Sequence, residues 1–283
     1  MINALRFLAL SIISLAFASA ASAQSFTTID FPGAVATTLN GGPNPEGTDI
    51  GSYTDAQGVT HGFVLQNGTF TTIDPPGSTL TIPNWITPQG TIVGAYNDSN
   101  GLSHGFVLDD GQYRTIDFPG ASNTTLDGLS PSGEFVGFYC TGACTSDHSF
   151  ILLKKGTFSS FDPPGAATSI AATVNPSGAI VGAYTDSKGV THGYLLDHGT
   201  FTTIDFPGGT FTFAGANNPK GDVVGEWMDT AGVAHGFVLS GGVFTSFDAP
   251  GATLTDAAGI NPSGVIAGLY VSGGVTHGFL RTP

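Results

Sequence analysis

A segment of the form Asp-x-Pro-Gly occurs six times in 283 residues: at 30–33, 74–77, 117–120, 162–165, 205–208 and 248–251. The intervals are 44, 43, 45, 43 and 43 residues, and a histidine keeps the same beat at His61, His104, His148, His192, His235 and His277. Self-similarity at this period means that one supersecondary unit is copied and stacked, and a period of 40 to 50 fits the four-stranded blade of a β-propeller. The copies run approximately over 34–74, 77–117, 120–162, 165–205, 208–248 and 251–283, the last joined by 24–30.

Turn chemistry divides each copy into four strands. Asn175-Pro176-Ser177-Gly178 and its five counterparts carry a turn former first, Pro second and Gly fourth, the order a type I turn prefers. Asp186-Ser187-Lys188-Gly189 makes the next reversal, short Gly turns such as Asn67-Gly68 the third, and Phe206-Pro207-Gly208 closes the copy. The 42 Gly and 17 Pro suit this punctuation. Strands such as His61-Gly62-Phe63-Val64-Leu65 are apolar on both faces, as expected when sheets stack face to face around a ring.

The ends of the repeat array complement each other. Phe26 to Asp30 is a fourth strand without a first three, and His277 to Leu280 is a third strand without a fourth. The expected fold is all-β: a six-bladed β-propeller of four-stranded antiparallel blades, with the N-terminal strand completing the last blade so that no sheet edge is left open.

Residues 1–23 read as a secretory signal, with Arg6, an apolar run from Phe7 to Ala20 and an Ala21-Ser22-Ala23 cleavage site. A single propeller domain of residues 24–283, periplasmic or extracellular and monomeric, is the expectation. The apolar run is shorter than a bilayer span, so no membrane segment is expected. Without Arg6 the chain holds 6 basic against 21 acidic residues, a balance that repels phosphate backbones and argues against nucleic acid as a partner. Export places Cys140 and Cys144 where thiols oxidise, and a local disulfide is expected between them.

At these residues the chain resembles the bacterial extracellular HAF repeats. Their pattern is matched by Val174-Asn175-Pro176-Ser177-Gly178-Ala179-Ile180-Val181-Gly182 followed by His192-Gly193-Tyr194, with Gly or Ser in place of the family's Ala in every copy. The resemblance implies a secreted repeat protein and supplies no catalytic residues.

The six repeated histidines lie on the third strand from the axis, roughly 10 Å outside the channel strand at about 4.8 Å per strand, too far apart to converge on one metal. A structural hydrogen bond to a carboxylate or backbone group is their expected role. Asp30, Asp74, Asp117, Asp162, Asp205 and Asp248 are expected to accept from turn amides, and Asp55, Asp98, Asp186 and Asp229 to form type I turns. No cofactor or metal is expected; calcium at these aspartates has no Asp-x-Asp-x-Asp cluster to support it. Function is sought where the copies disagree. In the channel strand Asn40, Asn84, Trp85, Asp127, Phe213 and Asp256 differ from their counterparts, and Glu226-Trp227 replaces the usual Ala-Tyr. Asn40, Asn84, Trp85, Asp127 and Asp256 are the candidate ligand-binding residues, with Trp85 as an aromatic platform for a sugar. The expected role is non-catalytic binding or scaffolding, with a glycan or a surface protein as ligand. The alternatives are a polysaccharide hydrolase or lyase using Asp127 and Asp256 at one end of the channel, and a purely structural envelope protein. Serine-elbow, zinc-helix, phosphate-loop and dinucleotide motifs are absent from the sequence.

Overall fold

The computed structural model describes residues 24–283, which form six antiparallel four-stranded sheets arranged as the blades of a ring. The expected signal sequence lies outside the described residues. The first blade comprises Ala36–Leu39, Asp49–Thr54, Thr60–Gln66 and Thr69–Ile73 from axis to rim, and the next four repeat this order. The sixth takes Leu254–Ile260, Ile266–Ser272 and Val275–Thr282 from the C-terminus and Ser25–Ile29 from the N-terminus. Their register runs from Ser25 opposite Thr282 to Ile29 opposite Gly278. The ring is therefore closed by main-chain hydrogen bonds between its two ends, as the complementary half-blades predict.

Every blade contributes one fully buried ring from its third strand: Phe63, Phe106, Phe150, Tyr194, Phe237 and Phe279. The residue before it is Gly in five blades because the next blade packs there. A Cβ on Gly105 would sit 2.7 Å from Leu126 Cγ, and one on Gly62 would sit 2.9 Å from Pro83 Cγ. The third blade carries Ser149 instead, and the change is matched around it. Ser149 Oγ bonds Ser169 Oγ at 2.7 Å and the Tyr194 hydroxyl at 3.3 Å, beside Ala171, which the fifth and sixth blades match with Ala214 and Ala257.

The histidines do what their spacing implies, with the partner now identified. Each Nδ1 meets the carboxylate that ends the outer strand of its own blade, at 2.7–2.9 Å: His61 with Asp74, and so on to His277 with Asp30 of the closing strand. These aspartates thus hold histidines, and the amides after them go elsewhere. The N–H groups of Phe31, Phe118, Phe206 and Ala249 donate to the hydroxyls of Thr37, Thr124, Thr212 and Thr255. Asp55, Asp98, Asp186 and Asp229 accept from the amides two and four residues on, as turn formers do. Trp227 belongs to this framework too. It stacks between Phe206 and His235 and donates to Ser246 Oγ at 2.9 Å, copying the Tyr53–Thr72 pair of the first blade. Cys140 and Cys144 form a disulfide in the hairpin between the second and third strands of the third blade.

Candidate functional site

The six inner strands surround the axis, and the inner strands of neighbouring blades touch. In five of them the ladder slips by one residue, leaving Asn84, Asp127, Ala172, Gly215 and Ala258 as bulges. A bulge re-aims its side chain, and here all five face the channel. Opposite each bulge the second strand carries Gly; on Gly137, for example, a Cβ would collide with the Thr125 carbonyl oxygen.

The result is a cup of about 260 Å³ that opens on the histidine face. Asn40, Asn84, Asp127 and Asp256 share it with Ile82, Phe138, Ile170 and Phe213. Its amides also tie blades together. Asn40 Nδ2 donates to the Pro83 carbonyl at 2.7 Å, and Asn84 Nδ2 donates to the Leu126 carbonyl at 3.0 Å and to Asp127 Oδ1 at 2.7 Å. Asp256 has no hydrogen-bond partner among the described residues and lines the cup. The ring wall encloses these carboxylates, which are only partly exposed to solvent. Burial holds Asp127 well above the usual carboxylate range and pushes Asp256 up to about 6. Glu226, on the second strand of the fifth blade, is pushed up to about 7 by burial and then by the charge of Asp256. The site can thus both accept and donate hydrogen bonds near neutral pH.

These shifts have a sign. A carboxyl whose folded pKa lies above its unfolded value keeps a proton that the unfolded chain has released, so folding stability falls as pH rises between the two values. For Glu226 the window runs from its ordinary 4.5 to about 7. Glu226→Gln is expected to stabilise the protein by on the order of 2 kcal/mol at about pH 8 and to change little at about pH 4. Urea unfolding at both pH values checks this; equal effects would contradict the assignment.

Trp85 does not join the cup. The bulge at Asn84 leaves the indole on the other side of that layer, where it packs against the cluster of the second and third blades, which includes Leu129. It also packs against the cluster of the fifth and sixth, which includes Ile260. Contacts on opposite sides of a six-membered ring place the indole across the axis. It divides the channel, and no residue lines both the cup and the cavity at the far end. The aromatic surface beside the amides and carboxylates is supplied by Phe213 and Phe138 instead. Phe138 was not legible in the inner strand because it lies on the second strand. The available signal was its departure from the small residue at the matching positions Ser52, Ala95 and Ala183.

Six four-stranded blades closed by the N-terminal strand, with an asymmetric cup on the axis, define a six-bladed β-propeller. Solved propellers are similar to it along most of its length. A catalytically inactive virginiamycin B lyase from Staphylococcus aureus, bound to quinupristin, has a TM-score of 0.54 at 11% identity over 92% of this chain and 100% of that one. A putative TolB from Agrobacterium tumefaciens has a TM-score of 0.57 at 14% identity, covering 74% and 79%. The six-bladed fucose-recognising lectin from Aleuria aurantia has a TM-score of 0.53 at 16% identity, covering 84% and 88%. At such identities the likeness is one of fold. No protein-family model matches the chain, and no curated protein is significantly similar to it. Among the described residues no helix is long and apolar enough to cross a membrane, and no group of three or more His, Cys, Asp or Glu side chains is placed to hold a metal ion.

Proposed function

We propose that the protein is an exported HAF-type binding protein that holds a glycan residue in the cup on the histidine face. The observation that carries this reading is the break in six-fold symmetry: framework residues repeat in every blade, whereas the inner strands bring together two amides, two carboxylates and Phe213 in one concave space. A pyranose presents an apolar face and a belt of hydroxyls, and a small number of polar groups set among apolar walls is the usual design of a small-ligand site. Fold alone does not select this function, since propellers host many; the residues of the cup are what support it.

A thermal-shift series over neutral and amino sugars tests the proposal, because any ligand of the folded state raises its unfolding midpoint. One sugar class is expected to raise it, and the shift is expected to disappear in Phe213→Ala and in Asp256→Asn. Asp256 has no partner to lose among the described residues, so Asp256→Asn should fold normally. Absence of any shift, or a shift indifferent to both substitutions, overturns the proposal. A second reading, glycoside cleavage, is favoured by Glu226, whose raised pKa beside Asp256 is the property a general acid needs. Release of a chromophore from aryl glycosides, lost in Glu226→Gln, would establish it.

A further inference from the structure

The far end of the channel, beyond Trp85, is a separate cavity with different chemistry. It has a volume of about 90 Å³ and opens on the face formed by the turns between first and second strands. Each of the six blades sends one proline to its rim: Pro45, Pro88, Pro131, Pro176, Pro219 and Pro262, all exposed. Below them lie Ile86, Leu129, Val174 and Ile260, with the indole of Trp85 among them.

The polar groups that could have made this cavity suit a sugar are mostly engaged. Asn44 Oδ1 accepts from the amides of Glu46 and Thr48, and Asn175 Oδ1 from those of Ser177 and Ala179; Asn218 and Asn261 repeat the arrangement. The Asn217 amide donates to the Ala179 carbonyl and accepts from Thr173. Trp85, which is only partly buried, has no hydrogen-bond partner at Nε1 among the described residues, and the same holds for Asn44 Nδ2 and Asn261 Nδ2. No charged side chain lines the cavity.

We infer that this cavity binds a single neutral aromatic ring carrying a hydrogen-bond acceptor, of which phenol is the simplest. Size, chemistry and the free donors agree on it. An enclosed cavity of about 150 Å³ admits benzene whole, so a smaller one open at its mouth takes one six-membered ring with its edge toward solvent. Pyrrolidine C–H groups and an indole offer an apolar, polarisable wall, on which flat rings settle in offset or edge-on geometry. The indole N–H and the side-chain amides of Asn44 and Asn261 are the donors available to its acceptor. A monosaccharide would leave most of its hydroxyls unpaired against prolines, which disfavours it strongly. This site shares no residue with the cup and does not depend on the glycan reading.

The test observes the Trp85 indole N–H directly in folded protein. Trp227→Tyr restores the residue that the other blades carry at that position and leaves Trp85 as the sole indole. In this variant the remaining indole cross-peak of a ¹H–¹⁵N spectrum is expected to shift saturably with phenol. The dissociation constant should be on the order of 1 mM, as befits a seven-atom ligand. Cyclohexanol, of similar size but not flat, is expected to bind at least several-fold more weakly, and methyl glucoside to leave the peak unmoved. No saturable shift with phenol overturns the inference, as does an equal response to cyclohexanol or to the glucoside. Trp85→Ala, if folded by circular dichroism, is expected to abolish phenol binding in calorimetry; retained binding would also overturn the inference.

Discussion

A chain that begins at Phe31 is expected to lose at least about 5 kcal/mol of stability relative to one that begins at Gln24, because it lacks the strand that closes the ring. Ser25–Ile29 pairs along its whole length with the last strand, and its side chains bind as well as its backbone. The Phe26 ring lies 5.6 Å from Phe279 and 6.2 Å from Phe247, at the interface of the fifth and sixth blades. A fully buried phenylalanine is worth about 3–5 kcal/mol by truncation to Ala, and the half-buried Phe26 contributes part of that. Thr28 bonds the Tyr270 hydroxyl at 2.8 Å, and Asp30 holds His277. Removal leaves the last strand as an exposed edge with an apolar face, which invites pairing between chains. Thermal unfolding should show a midpoint lower by at least about 10 °C, and size exclusion should show association. A synthetic peptide of residues 24–30, added in excess, is expected to recover part of the midpoint by adding itself as the missing strand. A truncated chain as stable and monomeric as the parent would show that closure contributes nothing.

That closure was legible because it depends on local patterns alone: turn residues at fixed offsets, and two half-blades at the ends of the array. The framework was partly legible. Six-fold recurrence pointed to structural histidines, but the carboxylate partner was assigned to turn amides until the geometry showed Thr37 and its counterparts taking those amides. The site was least legible, because its membership turns on a one-residue slip. Asn84 and Trp85 are neighbours in sequence, which by itself suggests an aromatic platform flanked by an amide. A bulge between Pro83 and Trp85 sends the amide into the cup and the indole across the axis. No pattern in one strand announces such a slip, since the glycine opposite it also occurs as Gly51 in the first blade, whose ladder has no slip. Glu226 is an irregularity in the sequence, yet its raised pKa comes first from burial and then from Asp256, thirty residues away on the next blade.

Gly259→Val is expected to destabilise the protein by about 3 kcal/mol or more, at a position where other blades accept a side chain. Trp85, Thr173 and Ala216 occupy the same place in the second, fourth and fifth blades, so the inner strand itself does not demand glycine there. The demand comes from the seam between the sixth blade and the first. The first inner strand continues as Gly41-Gly42-Pro43, one residue longer than its counterparts before the proline turn. Its backbone lies directly against Gly259: a Cβ there would collide with Gly42 N and stand 2.6 Å from the Gly41 carbonyl carbon. Both obstacles are main chain and cannot swing away. In the third blade, by contrast, a Cβ on Gly128 would stand 2.9 Å from Val136 Cγ2 and 3.0 Å from the Thr173 Cα, tight contacts without the outright main-chain overlap met at Gly259. Gly128→Ala should therefore cost about 1–2 kcal/mol, and the ordering of the two variants by urea midpoint is the measurement. Gly259 and the N-terminal strand act at the inner and outer ends of one closure, so their effects should not add. In a chain already lacking residues 24–30, Gly259→Val is expected to have a smaller effect than in the closed ring. Full additivity would mean that the sixth blade holds its place against the first without the strand that completes it, and that the two ends of the closure are independent.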